Sequence, residues 1–282
     1  MERVKDLTLV VLAAGMGSRF GGVKQVAAVD DNGRTLIDYG VYDAIRAGFT
    51  RVVCVVTAEI EAAFHERIGC HVERHIELAY AHQAIPEGRK KPWGTAEAVL
   101  QALSHFSGDF ATMNADDFYG ADAYATIASF LAEESDRHAV VGYRLRNTMS
   151  AFGTVSRGVC EVSNGRLAHI TERTALRPVP GGAVDEAGEF YDADTLVSMN
   201  FWGFRASAAR AFSEGFEAFR AQAGSTDEFY LPDVGGSLMP NVVVLPTHAT
   251  WMGITYADDL AAVRQRIGLL VAAGEYPQDL WP

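Results

Sequence analysis

The chain has 282 residues, of which 49% are hydrophobic, and its 24 basic and 36 acidic residues give a formal net charge of −12. An acidic protein lacks the basic field that generic binding to nucleic acid or to an anionic membrane requires. We therefore expect no nucleic acid and no membrane among its partners. Three widely spaced cysteines without a CxxC pair are typical of reduced thiols in a cytoplasmic protein.

The first predicted element is a buried strand at residues 7–14, an apolar run of eight residues in which only Thr8 is polar. Charges of both signs precede it, which disfavours a signal peptide, and no segment approaches the roughly 18 apolar residues of a membrane span. Helical periodicity at residues 35–48 and apolar runs at 51–56 and 109–115 continue the pattern. This alternation predicts an α/β fold with a doubly wound, mainly parallel sheet.

The middle of the chain changes character. Two alternating runs flank Asn164-Gly165, a dipeptide that favours the tight type I′ turn of an antiparallel hairpin. Residues 174–194 are rich in proline, glycine and acids, which predicts a mobile loop. A strand at residues 195–204, a late strand at 241–247 and a terminal helix at 257–273 complete the predicted order of elements.

A glycine-rich stretch, AAGMGSRFGGVK, follows the first strand. A dinucleotide fingerprint needs G-x-G-x-x-G, but Phe20 stands where its third glycine belongs. A Walker loop needs a lysine directly after its last glycine, but Val23 follows Gly22. Small residues let backbone N–H groups approach phosphate oxygens, while Arg19 can grip a pyrophosphate and Lys24 supplies a point charge. The stretch therefore indicates a third kind of phosphate loop.

This loop resembles the signature [LA]-A-G-x-G-[ST]-R-x(n)-P-K of the nucleotidyltransferase (NTP transferase) family, particularly its sugar-1-phosphate nucleotidylyltransferases, with Val23 in place of the proline. Later stretches resemble further family segments in the family's order: QAIPEGRKKPWGTAEAV, MNADDFYG, FGTVSR, HITER, VSMNFWGF, DEFYLPDV and WMGITYADDL. The resemblance covers about residues 7–260. It implies one Rossmann-like, GT-A-like domain over 1–282, with a nucleotide-binding part at about 1–145, an antiparallel acceptor-binding insertion at about 146–250 and a helical segment at about 256–282.

The resemblance also implies a set of site residues. The catalytic residues would be Arg19, Lys24 and Asp116, and Asp116 would be the ligand of Mg²⁺, which prefers hard oxygen donors. The nucleotide would contact Ala13, Ala14, Gly15, Gly17, Ser18, Gln83, Gly94 and Thr95. The acceptor would contact Gly153, Glu172 and Asn200.

Four positions depart from the family pattern or leave a role open. Gly253 stands where the family has its second metal-binding acid, and Arg173 replaces the usual lysine. Asp117 would either assist the metal through a water molecule or cap the next helix. The long insert at residues 89–91 is predicted to be a solvated loop, with phosphate contact as the alternative.

The implied activity is that of a phosphorus-group transferase in nucleotide sugar biosynthesis. It would transfer a nucleoside monophosphate from an NTP to a sugar 1-phosphate, with Gln83 favouring UTP or dTTP and CTP as an alternative. The short Arg19-to-Lys24 spacing leaves open a cytidylyl or guanylyl transfer to an alcohol phosphate, a phosphonate or a molybdenum cofactor. A GT-A glycosyltransferase and a catalytically silent nucleotide-sugar sensor are further alternatives, and a homo-oligomer stays open.

Overall fold

The structure is a computed structural model that describes residues 6–15, 27–150, 153–254 and 259–281. Gly17, Ser18, Arg19 and Lys24 lie outside the described residues, so the roles expected for them stay predictions. The described strands are β1 (Leu7–Leu12), β2 (Arg51–Val56), β3 (Glu77–His82), β4 (Asp109–Asn114), β5 (Asp117–Phe118), β6 (His138–Arg144), β7 (Val155–Ser163), β8 (Arg166–Val179), β9 (Gly182–Val184), β10 (Phe190–Asp192), β11 (Leu196–Phe204), β12 (Val242–Thr247) and β13 (Met252–Gly253).

The α-helices of the described chain alternate with these strands. They are α1 (Leu36–Ala47), α2 (Glu61–Phe64), α3 (Cys70–Val72), α4 (Thr95–Ala102), α5 (Ala121–Ala132), α6 (Ala209–Arg220), α7 (Leu231–Ser237) and α8 (Asp259–Ala272). A π-helical turn, His65–Gly69, joins α2 to α3. In the ranges described, no helix combines the length and the apolar character needed to cross a bilayer.

One large sheet organises the molecule, in the order β10-β9-β8-β12-β6-β11-β4-β1-β2-β3, and β7 pairs with both β8 and β11. Strands β1, β2, β3 and β4 pair in parallel, as do β6 and β12. Strand β11 lies antiparallel between β4 and β6, and the pairs from β7 to β10 are also antiparallel. The α/β prediction is confirmed, but the sheet is mixed, and the expectation of mainly parallel pairing is met only in part.

The sheet has a hydrophobic core on each face. Successive residues of β1 alternate between them, since Leu9 and Val11 pack in one core and Val10 in the other. Buried side chains of α1, α5 and α8 fill the first core, and those of α4, α6 and α7 fill the second. Burial on both faces explains why β1 has a continuous apolar run.

Local sequence signals account for the first helix and for the central hairpin. Thr35 and Asp38 form a capping box at the start of α1, and Gly48 ends it in the left-handed region at φ +97°. The hairpin of β7 and β8 turns at Asn164 and Gly165, whose φ values are +52° and +74°. Both predictions are therefore confirmed.

The predicted mobile loop at residues 174–194 is wrong. Strand β8 continues to Val179, and β9 and β10 follow it in an antiparallel meander. The glycines that suggested a loop belong to its two tight turns, where Gly181 has a φ of +84° and Gly188 a φ of +81°. The turn residues are closely spaced because the strands are only three residues long.

Candidate active site

The carboxyl ends of the parallel strands meet at one edge of the sheet. Just beyond β1, the Ala13 N–H donates to the Val55 carbonyl at 2.8 Å. Just beyond β4, the Ala115 N–H donates to the Leu12 carbonyl at 3.1 Å. Gln83 directly follows β3. Three features therefore share this edge: Gln83, the segment with Asp116, and the described start of the glycine-rich loop. Ligands bind at this edge in open α/β sheets.

Two consecutive carboxylates follow β4. Asp116 is half-buried, whereas Asp117 is buried. Asp117 Oδ2 accepts hydrogen bonds from Asn114 Nδ2 at 2.9 Å and from Tyr119 Oη at 3.1 Å. Burial and the neighbouring Asp116 carboxylate raise the pKa of Asp117 above its usual range. Asp117 is thus fixed beside Asp116, and it does not cap α5, whose N-cap residue is Gly120.

Gly253 lies opposite Asp117 in the two-stranded ladder of β5 and β13. A β-carbon placed on Gly253 would lie 2.4 Å from Trp251 Cη2 and 2.9 Å from Asp117 Oδ1. The indole ring therefore fills the space that a side chain at position 253 would need. The backbone on this side is tied to the acidic pair, because the Ile254 N–H donates to the Asp116 carbonyl at 3.3 Å.

The residues predicted to hold the base come together in the structure. Gln83 is buried, and its Nε2 donates to the Gly94 carbonyl at 2.9 Å and to Glu97 Oε2 at 2.6 Å. Glu97 is itself held by Gln101 Nε2 at 2.5 Å. Two acceptors on the amide nitrogen fix the orientation of the Gln83 carboxamide, which the sequence left undecided.

Gly94 and Thr95 contact the segment DEFYLPDV. Gly94 has a φ of +106°, and a β-carbon there would lie 2.5 Å from the Phe229 carbonyl oxygen. Thr95 Oγ1 accepts a hydrogen bond from the Leu231 N–H at 3.1 Å. Both the backbone conformation and the close approach of Phe229 require glycine at position 94. The sequence had suggested that a glycine is needed here so that a base can approach. The contact with Phe229 is a further reason, internal to the protein.

The basic insert at residues 89–91 contacts the same segment. The Arg89 guanidinium lies 3.5 Å from the centre of the Trp93 ring, and its Nη1 donates to the Gly224 carbonyl at 2.7 Å. Lys91 forms an ion pair with Glu228 at 2.9 Å. Arg89 is therefore half-buried against the chain itself, which a wholly solvated loop did not predict, whereas Lys91 is exposed to solvent as expected and forms a surface ion pair.

The predicted acceptor residues lie on the antiparallel part of the sheet. Asn200 occupies the left-handed region at φ +60°, where the register of β11 against β6 shifts. Its neighbour Met199 has a carbonyl oxygen 3.0 Å from Tyr119 Oη, the hydroxyl that also contacts Asp117. Glu172 lies on β8, and Gly153 precedes β7. Tyr119 thus connects the acidic pair to the strand that contains Asn200.

The sequence did not identify Arg157 as a site residue. Arg157 is buried on β7, and its positive charge interacts with Asp117 and Glu172. Val155 and Val159 flank it at a spacing of two residues, so all three side chains point to one face of the strand. An arginine on this otherwise apolar face of the strand was the feature of the sequence that could have identified Arg157 as a candidate site residue.

The described residues thus form an α/β sheet edge with two consecutive carboxylates beside an antiparallel insertion, and ligands of open α/β sheets bind at such an edge. The sequence model of the nucleotidyl transferase family matches residues 8–214, and the chain belongs to this family. It is similar to the glucose-1-phosphate thymidylyltransferase of Mycolicibacterium smegmatis, with 29% identity over 153 residues. That alignment spans 52% of this chain and 49% of the relative, about half of each.

Solved structures share the fold at low sequence identity. A Bacillus anthracis protein assigned as a glucose-1-phosphate thymidylyltransferase superposes with a TM-score of 0.67 at 14% identity, over 92% of this chain and 94% of that one. The inositol-1-phosphate CTP transferase of T. maritima gives 0.66 at 16% identity, over 94% and 96%. The family match thus identifies the chain as a nucleotidyltransferase, and the solved structures show that it shares their fold.

Proposed function

We propose that this enzyme transfers a nucleoside monophosphate from an NTP to a sugar 1-phosphate, giving an NDP-sugar and pyrophosphate. The observation that supports this most directly is the shared sheet edge. There the start of the glycine-rich loop, Gln83 and Asp116 come together, and the antiparallel strands that contain Glu172 and Asn200 join the same sheet. A triphosphate and a phosphorylated acceptor would meet at the acidic pair.

The orientation of Gln83 supports a preference among bases. Its Nε2 is held by Gly94 and Glu97, so its carbonyl oxygen is the group left to contact a ligand. A carbonyl oxygen accepts from the N3–H of uracil or thymine, and equally from the amino group of cytosine. The orientation of Gln83 is thus compatible with UTP, dTTP or CTP, the resemblance favours UTP or dTTP, and the base would lie against the end of β3.

The residues present fit a Mg²⁺ ion bound together with substrate. Among the described residues, no cluster of three or more histidine, cysteine or acidic side chains could enclose a metal without substrate. Mg²⁺ typically uses one or two carboxylates, phosphate oxygens and water, which Asp116 and a triphosphate would supply. Asp117 lies beside Asp116 and would orient it or bind a coordinated water. When bound, the ion would neutralise charge on the phosphates.

The chemistry requires positioning and charge neutralisation more than proton transfer. A phosphate oxygen of the acceptor attacks the α-phosphorus in line, and pyrophosphate leaves from the opposite side. Because this nucleophile already has a negative charge, no general base is needed. Arg19 would stabilise the leaving pyrophosphate, and Lys24 would hold the α-phosphate as the two anions approach each other. Gly153, Glu172 and Asn200 would orient the acceptor.

Pyrophosphate release tests the reaction. Four NTPs are each incubated with Mg²⁺, inorganic pyrophosphatase and a panel that contains glucose 1-phosphate, other sugar 1-phosphates and inositol 1-phosphate. We expect phosphate release only when an NTP and a sugar 1-phosphate are both present. Release with inositol 1-phosphate alone would assign the alcohol-phosphate alternative, and no release with any pair would contradict the proposed function.

Two variants test the roles of single residues. Lys24→Ala and Asp116→Ala should each lower the rate by about 10²–10³-fold, as expected for preorganised charges, while remaining folded. The matched controls Lys90→Ala and Asp31→Ala remove exposed charges elsewhere and should leave the rate unchanged. Rates equal to that of the wild type in both test variants would rule out these roles.

A further inference from the structure

Arg157 is a buried cation beside the site. It lies on β7 and is 7% exposed. Burial lowers its pKa to about 10, although the Asp117 and Glu172 carboxylates oppose that shift. At neutral pH the guanidinium is still charged, so a full positive charge lies buried in the protein interior.

The partners that fix Arg157 are uncharged. Its Nε donates to Thr148 Oγ1 at 3.1 Å, and its Nη1 donates to the Ser156 carbonyl at 2.7 Å. Nη2 donates to the Thr148 carbonyl. The guanidinium stacks on Trp251 at 4.7 Å from the ring centre. These contacts hold the plane of the group and use three of its five N–H donors within the described residues.

Nothing of opposite charge contacts Arg157 within the part of the chain that the structure describes. No carboxylate oxygen there lies within 4.0 Å of its guanidinium nitrogens, and Asp117 and Glu172 act on it from farther away. Buried charges in proteins are normally paired, because an uncompensated one is strongly destabilising. A rigidly held, unpaired guanidinium beside a ligand site is therefore suited to bind an anion.

The neighbouring arginine is paired with acidic side chains. Arg173 lies directly opposite Arg157 in the register of β7 and β8. Its Nη1 is 3.5 Å from Glu189 Oε2 and 4.0 Å from Asp185 Oδ2, and its guanidinium packs over the Tyr191 ring at 5.7 Å. Arg173 is thus engaged with the acids of the β9–β10 meander, whereas no carboxylate of the described residues contacts Arg157.

We propose that Arg157 binds the phosphate group of the acceptor. Its strand belongs to the antiparallel part of the sheet, which also contains Glu172 and Asn200. Arg157 pairs with Arg173 and Gly158 with Glu172, so the Glu172 side chain lies on the opposite face of this ladder from Arg157. The carboxylate of Asp117 acts on the charge of Arg157, and Asp117 follows Asp116, the residue expected to hold the metal beside the α-phosphate. A phosphate bound at the guanidinium would complete its hydrogen bonds and would lie close to the atom that it attacks. This inference rests on the proposed function.

The test compares Michaelis constants in the full-length protein. The probe is the sugar 1-phosphate or inositol 1-phosphate that the wild type turns over. Arg157→Met should raise the KM for this acceptor about 10- to 100-fold, the loss expected for a charge-assisted contact, with the KM for the NTP changed less than about twofold. Arg157→Lys keeps the positive charge but not the planar guanidinium, so its KM for the acceptor should lie between those of the wild type and Arg157→Met. Arg177→Met, the matched control, removes an exposed arginine farther along β8 and should leave both constants unchanged.

The outcomes separate the two proposals. If the wild type releases no pyrophosphate with any pair, the proposed function fails. If the wild type is active and Arg157→Met or Arg157→Lys leaves the acceptor KM unchanged, or raises the KM for the NTP instead, the role of Arg157 is contradicted while the function stands. If Arg157→Met does not fold, Arg157→Lys decides, because a purely structural role would lower its melting temperature without raising the acceptor KM.

Discussion

Asp117 and Gly253 face each other across a two-residue ladder, and the Asp117 carboxylate occupies the space beside the glycine. A β-carbon on Gly253 would lie 2.9 Å from Asp117 Oδ1 and 2.5 Å from Trp251 Cζ2. Of the two acids of the described site, Asp116 lies in the turn that follows β4 and Asp117 is the first residue of β5. Position 253 provides space for the Trp251 ring, on whose face Arg157 stacks.

We predict that Gly253→Ala lowers the free energy of unfolding by about 1–3 kcal/mol, the usual cost of overpacking a filled site. Urea denaturation measures this change. The control is Gly268→Ala in α8, where a β-carbon meets nothing within 4 Å. That change should raise stability by about 0.5–1 kcal/mol, because glycine is unfavourable in a helix. Equal effects of the two substitutions would show that Trp251 and Asp117 leave room at position 253.

The buried pair of Arg205 and Asp109 should dominate the stability of the opposite end of β4. Arg205 Nη1 lies 2.9 Å from Asp109 Oδ2, and the two side chains are 5% and 11% exposed. Arg205→Met should cost about 3–5 kcal/mol, because it leaves a buried carboxylate without its cation. In the matched exposed pair, Arg210→Met removes a 2.8 Å contact with Glu214 and should cost less than about 1 kcal/mol. Similar losses in a chemical denaturation series would contradict this ranking.

Asp43 should make stability depend on pH. Its Oδ2 accepts from Tyr276 Oη at 2.6 Å, and burial raises the pKa of Asp43 to about 7 despite this bond and the nearby Arg46. The unfolded chain releases the Asp43 proton near its ordinary pKa, so the folded state binds this proton more tightly. The contribution of Asp43 to stability is therefore greatest below about pH 4 and is lost as the pH rises toward 7.

The variant Asp43→Asn isolates this term. Wild-type stability minus variant stability should fall by roughly 2–4 kcal/mol between pH 4 and pH 7.5, at about 1.4 kcal/mol for each unit of pKa difference. Urea unfolding of both proteins across this range measures it. A difference that stays constant or grows with pH would show that Asp43 is ionised in the folded protein.

The insert at residues 89–91 should act through the segment DEFYLPDV. We expect Arg89→Met to increase hydrogen exchange at the amides of Phe229 and Ala96, because Arg89 anchors the carbonyl of Gly224 just before that segment. Lys90→Met, which removes an exposed neighbouring charge, should leave exchange unchanged. Equal protection in both variants would show that Trp93 and the backbone bonds hold the segment unaided.

Local signals in the sequence were sufficient to predict much of the fold. The capping residue Thr35 and the terminating Gly48 delimit α1, and Asn164-Gly165 sets the hairpin, because each acts within a few residues of its own backbone. The β9–β10 meander was missed because its strands have only three residues each, so the glycines and acids of its turns dominate the local sequence. The antiparallel insertion of β11 between β4 and β6 depends on pairing between residues such as Trp202 and Thr112, 90 positions apart, which local patterns do not encode.

The positions of the candidate site residues were predictable where they follow a strand end and unpredictable where they depend on packing. Gln83 and Gly94 were both expected to contact the base, and the structure brings the two residues together. Trp251 and Arg157 were not expected at the acidic pair, because their positions depend on the β5–β13 ladder and on the loop at Thr148. Such long-range contacts leave no periodicity in the sequence.

The most direct test of the central claim follows the α-phosphorus itself. An NTP labelled with ³²P at the α-position is incubated with Mg²⁺ and an active acceptor phosphate. We predict that the label appears in a nucleoside diphosphate linked to the acceptor, that one unlabelled pyrophosphate is released for each labelled product, and that Asp116→Ala slows both by about 10²–10³-fold. Label that stays in the NTP, or appears in free nucleoside mono- or diphosphate without a linked product, would contradict it.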